Sequence, residues 1–66
     1  MEVYYINLRE DKNGNHSVHR YGCQRLADPV NRFCLGIFPD SELAVKNASE
    51  KFRKVVCCKL CCDCNS

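Results

Sequence analysis

The stretch Val55-Val56-Cys57-Cys58-Lys59-Leu60-Cys61-Cys62-Asp63-Cys64 constrains this chain more than any other. It holds five of the seven cysteines, packed into eight residues. Core packing does not call for such a density of thiols. Thiolates so close together hold a metal, pair as disulfides or perform redox chemistry. Length makes the choice matter. A 66-residue chain forms one domain, 1–66, and buries only about 60% of the surface its unfolded form exposes. Domains below roughly 70–80 residues need a staple in the form of disulfides, a metal or a partner chain.

The compartment narrows the staple. Met1-Glu2-Val3-Tyr4-Tyr5 starts with an acidic residue and runs directly into a strand pattern. It has neither the basic start nor the apolar segment of a secretory leader. No run is long and apolar enough to read as a membrane span. A cytoplasmic location is therefore expected. In a reducing compartment clustered cysteines favour metal binding or catalysis over structural disulfides. Seven is also odd, so full intramolecular pairing would leave one thiol over. The net charge of +2 is too mild to argue for nucleic acid on charge alone.

The remainder of the chain reads as an α+β unit. Val3 to Leu8 alternates at period two and predicts a strand, with Tyr4, Ile6 and Leu8 on one face. Asn13-Gly14 favours a type I′ turn, so Ser17 to Tyr21 is the returning strand of a hairpin. Asp28-Pro29 marks a loop, with a short turn around Gln24 to Ala27. Arg32 to Phe38 is a third strand, with Phe33, Leu35 and Ile37 on its apolar face and Cys34, Gly36 and Phe38 on the other. Gly36 within that strand signals a bulge or a close backbone approach.

Asp40 or Ser41 then caps a helix. Its apolar stripe runs through Leu43, Ala44, Ala48, Phe52, Val55 and Val56, and Glu42, Lys46, Glu50 and Lys54 ladder its exposed side. The expectation is a small three-stranded antiparallel sheet with one C-terminal helix, closed by the cysteine-rich tail. The expected core is Tyr4, Ile6, Leu8, Val18, Phe33, Leu35, Ile37, Leu43, Ala44, Ala48 and Phe52.

Cys58 and Cys61 have the Cys-x2-Cys spacing that lets two thiolates share one tetrahedral ion. Zinc sites add a second pair from elsewhere in the chain. His19 and Cys23, with three residues between them at a strand end, supply such a pair. The candidate metal ligands are therefore His19, Cys23, Cys58 and Cys61, with Zn2+ as the ion. Cys34, Cys57, Cys62 and Cys64 remain as alternative thiol ligands or disulfide partners. Cys34 reads most simply as a small buried hydrophobe, His16 as solvated, and Arg20, Arg25 and Arg32 as a solvated basic face. Tyr4, Tyr5 and Phe33 read as packing residues.

Several segments also resemble a family of small uncharacterised bacterial proteins. They are Tyr4-Tyr5-Ile6-Asn7-Leu8, Asn13-Gly14-Asn15-His16, Val18-His19-Arg20-Tyr21-Gly22-Cys23, Leu26-Ala27-Asp28-Pro29, Leu35-Gly36-Ile37-Phe38, Ala44-Val45 and Cys58-Lys59-Leu60-Cys61-Cys62. A more distant likeness is to the zinc-binding domain of the Ada DNA-repair protein and to short terminal domains of some bacterial nucleases. They share the order of a His or Cys, three residues, a Cys, a strand, a helix and Cys-x2-Cys. That resemblance implies the same ligands, His19, Cys23, Cys58 and Cys61. It also implies no methyl acceptance, since histidine stands where the Ada domain has its reactive cysteine. Cys57 departs from the pattern, which has Gly or a polar turn residue there.

Three functions follow as expectations. The first is a structural-zinc interaction module that binds protein or nucleic acid. The second is a thiol-redox or soft-metal (Cu/Zn) handling protein. The third is a disulfide-stapled mini-protein. No base-and-carboxylate pair or Gly-rich phosphate loop is present, so no enzyme activity, small-molecule substrate or membrane partner is expected.

Overall fold

The computed structural model describes residues 1–24, 26–58 and 61. Among them the element order is β1 (Glu2–Asn7), β2 (His16–Arg20), a 3₁₀ turn (Pro29–Asn31), β3 (Arg32–Phe38), α1 (Ser41–Ser49) and β4 (Val55–Cys57). The strands form one sheet in the order β3-β1-β2-β4. β1 pairs antiparallel with both β2 and β3, while β4 runs parallel to β2. The α+β class and its one described helix agree with the sequence. The sheet does not, having four strands and mixed directions where three antiparallel strands were expected.

The fourth strand comes from the segment assigned to the helix. The helix is capped at Asp40, whose Oδ1 accepts the Leu43 backbone N–H at 3.0 Å. It closes where Lys51 and Phe52 N–H groups converge on the Ala48 carbonyl. Lys54 then takes a left-handed φ of 52°, which an α-helix cannot accommodate. The β-branched pair Val55-Val56 leaves that kink as a strand, and the His16 N–H donates to the Lys54 carbonyl at 2.8 Å. Lys54 thus belongs to the turn, and the charge ladder stops at Glu50, the C-cap.

The core consists of Tyr4, Ile6, Val18, Leu35, Ala44 and Ala48. Ala44 and Ala48, one helical turn apart, are fully buried, and their small side chains let α1 lie close to the sheet. Leu8, Phe33, Ile37 and Leu43 were expected inside but are exposed, and Phe52 is half-buried against the core. A bulge explains the third strand. Tyr4 faces Gly36 but Tyr5 faces Cys34, so Leu35 is the extra residue. The side-chain alternation slips across it. Gly36 and Phe38 turn toward the helix, with Phe38 edge-on to Tyr4, and Ile37 turns to the opposite face beside Val3.

The hairpin turn also differs. A type I′ turn needs positive φ at both central residues. Gly14 has it (φ 80°) and Asn13 does not. The turn is held instead by Asp11, whose Oδ1 accepts from the N–H groups of Asn13 (2.8 Å) and Asn15 (2.9 Å). His16 is not solvated. It is half-buried, with Nδ1 2.9 Å from the Asn7 carbonyl and its ring 5.4 Å from that of Phe52. No described helix is long and apolar enough to cross a membrane.

Candidate metal centre

His19 sits on β2 opposite Tyr5, its side chain on the sheet face away from α1, and is 3% exposed. The chain reverses just beyond it. The Cys23 N–H donates to the Arg20 carbonyl at 3.1 Å, and Gly22, third in this turn, has φ 89°. That positive φ is the requirement of a type II turn. The turn brings Cys23 back toward His19.

The second pair arrives by the parallel strand. β4 aligns Cys57 with Val18, and the ladder extends one step further, with the Cys58 N–H donating to the Val18 carbonyl at 3.0 Å. Successive residues of an extended chain point to opposite faces. Cys57 therefore packs toward the core, and Cys58, buried like His19, joins the histidine.

One nitrogen or sulfur from each of His19, Cys23, Cys58 and Cys61 lies within 4.8 Å of all the others. The Cys23 and Cys58 Sγ atoms are 3.8 Å apart, and Cys61 Sγ is 3.9 Å from His19 Nδ1. Tetrahedral zinc, with Zn–S near 2.3 Å and Zn–N near 2.0–2.1 Å, gives S···S edges of ~3.8 Å and S···N edges of ~3.6 Å. The sulfurs are too far apart for a disulfide, whose bond is about 2.05 Å. These four residues are thus close enough to hold a metal ion, and their donor set, three sulfurs and one imidazole, suits a borderline-soft divalent cation.

Two further contacts support the group. The Arg20 backbone N–H donates to Cys61 Sγ at 3.2 Å. On the other side of the histidine, Asn7 Nδ2 lies 3.1 Å from Nε2. A cleft of about 320 Å³ lined by Arg20, Tyr21, Gly22, Cys23, Gln24 and Cys61 adjoins the group and offers an ion a way in.

The remaining candidates fall elsewhere. Cys34 is an exposed free thiol on β3, with β1 between it and β2, so it is neither a buried hydrophobe nor part of the group. Cys57 is disulfide-bonded. Cys62, Cys64 and Arg25 also lie outside them. Arg20 is exposed as expected, but Arg32 is half-buried, with its guanidinium 4.6 Å from the Tyr5 ring centroid and Nη1 donating to the Ala27 carbonyl at 3.2 Å.

Asn7 was not singled out by the sequence. A polar residue ending an otherwise apolar alternation was its only signal, and its relation to His19 depends on strand register. No family model, curated protein or solved structure matches the chain, so the group is interpreted from its own geometry.

Proposed function

We propose that this protein is a small structural-zinc module that binds another macromolecule and has no catalytic activity. The observation that carries the reading is the four-residue group, whose ligand atoms all lie within 4.8 Å of one another, with one sulfur pair at 3.8 Å, the S···S edge of a zinc tetrahedron. Four protein ligands leave no coordination position for a substrate. The metal's work is then to fasten the tail to the end of the hairpin, which a core this small requires. A cytoplasmic location suits a metal held by clustered thiolates. The likeness to the Ada zinc domain inclines the partner toward nucleic acid over protein. Exposed Arg20 and Tyr21 at the metal end are the accessible rim for that contact.

A second reading, thiol-redox or soft-metal handling, draws on Cys57. Its disulfide adjoins Cys58 in the chain, so a redox couple lies one residue from a candidate ligand.

Native mass spectrometry with metal analysis of protein purified under reducing conditions tests the proposal. One zinc per chain, with unfolding on chelation, is the expected result. Several Cu(I) ions per chain would favour the second reading. A mass lowered by six hydrogens, with no metal, would overturn both and support the disulfide-stapled mini-protein.

A further inference from the structure

Asn7 is tied to the metal centre by a hydrogen-bond pattern that the proposed metal would have to change. Its Oδ1 lies 3.1 Å from the Ala27 backbone N–H, a group that can only donate. That fixes which end of the amide faces which way, and leaves Nδ2 facing His19 Nε2 at 3.1 Å. An amide NH2 is also only a donor, so Nε2 must accept. A neutral imidazole that accepts at Nε2 carries its proton on Nδ1. Nδ1 is the nitrogen turned toward the sulfurs, 3.9 Å from Cys61 Sγ.

A metal held by His19 at this site needs the Nδ1 lone pair, so the imidazole proton must sit on Nε2. There it would meet the Asn7 NH2, donor against donor. The conflict is removed by turning the Asn7 amide over, so that Oδ1 accepts from Nε2–H. The Ala27 N–H then loses its acceptor.

We propose that Asn7 is a positioning residue that sets the metal affinity of the centre. Latched by the Ala27 N–H, it holds His19 in the non-ligating tautomer, and metal loading turns the amide and releases Ala27. This rests on the zinc reading of His19, Cys23, Cys58 and Cys61 and adds to it a link between the ion and the loop preceding Pro29. The proton moves between the two nitrogens of one ring by exchange with solvent, so no net charge or redox change accompanies the step.

Asn7→Asp separates this role from simple packing. A carboxylate has two acceptor oxygens and no donor. One oxygen keeps the Ala27 N–H while the other takes Nε2–H, so the ligating tautomer is favoured with the latch in place. Partners of this kind change metal affinity by 10–100-fold. Zn2+ titration against a chromophoric chelator is expected to show Asn7→Asp binding on the order of tenfold more tightly than wild type, with Asn7→Leu, which drops both the hold on the non-ligating tautomer and the acceptor for Nε2–H, between the two. A purely structural role predicts weaker binding in both variants, and that result would overturn the proposal.

Long-range 1H–15N spectra of the wild-type histidine ring test the same point without any substitution. The His19 proton is expected on Nδ1 before Zn2+ is added and on Nε2 after one equivalent. A proton on Nε2 from the start sinks the role of Asn7 and leaves the zinc reading intact. Failure of the wild type to take up Zn2+ sinks both.

Discussion

The two ends of the β1–β2 hairpin reverse the chain in different ways. At one end, Asp11–Gly14 is closed by its own residues. The Gly14 N–H donates to the Asp11 carbonyl, the Asp11 N–H to the Asn15 carbonyl, and the Asp11 carboxylate takes two further N–H groups. At the other end, Arg20–Cys23 is closed by the hydrogen bond from the Cys23 N–H to the Arg20 carbonyl, and its most consequential neighbours, Cys58 and Cys61, come from 35 residues or more along the chain. Both turns use a positive-φ glycine, Gly14 at 80° and Gly22 at 89°. The first is a local structure that needs no help. The second stays weak until the tail arrives, which is where a small chain gains most from a metal.

The largest expected effect is therefore at the metal end. On the zinc reading, Cys58→Ala removes a buried candidate ligand and is expected to abolish the binding of one zinc per chain. Binding free energy at structural zinc sites is folding free energy, with apparent values of about 10–16 kcal/mol in small zinc-finger peptides. Much of the thermal transition should vanish, as it should on chelation of the wild type. Cys34→Ser is the matched control. Its thiol is exposed and on the far side of β1, so zinc stoichiometry and melting temperature should stay unchanged. Loss of zinc from the Cys34 variant, with retention when His19 is replaced by Ala, would show that the ligand set is wrong.

The glycines give the next effect in size. An Ala side chain at either position is forced into a left-handed backbone at a cost of about 1–2 kcal/mol. At Gly22 the added Cβ meets nothing within 4 Å, and at Gly14 its nearest neighbour is the flexible end of Lys54 at 3.6 Å. The two substitutions should therefore destabilise by similar amounts, measured by urea unfolding. They should differ in zinc affinity, which Gly22→Ala lowers and Gly14→Ala leaves alone. Equal effects on zinc would dissolve the distinction between the two ends.

That distinction also marks what the sequence made legible. β3 and the helix cap were readable because their signals are short-range: alternation between an Asp-Pro loop and Pro39, then Asp40 three residues before the N–H it accepts. The candidate ligands were readable because His19-x3-Cys23 and Cys58-x2-Cys61 are themselves local spacings. What failed depended on the third dimension. Val55 and Val56 extend the helical spacing of Ala48 and Phe52, and only the left-handed Lys54 and a place beside β2 make them a strand. Gly36 signalled the bulge, but its position at Leu35, which turns Ile37 outward, is set by pairing with β1. Asn7 became a candidate partner of His19 only once β1 and β2 were in register.

The smallest effect tests the self-sufficient turn. Hydrogen bonds from the backbone N–H groups of Asn15 and then Asn13 hold the Asp11 carboxyl below its ordinary value of 3.8. A depressed folded-state pKa contributes stability that is fully present above the unfolded value. It is lost as pH falls through the lower folded value, so the window lies below about pH 4. The carboxylate is fully exposed, so the contribution is slight and local. Thiolate ligands are also protonated in acid, so a global melt would confuse the two ends. The amide shifts of Asn13 and Asn15 report on the turn alone. In the wild type they should titrate together with a midpoint below 3.8, and in Asp11→Asn, which keeps an acceptor oxygen without the charge, they should be flat. A midpoint at or above the ordinary carboxylate value would mean that these bonds do not hold the turn, and that it too relies on the rest of the fold.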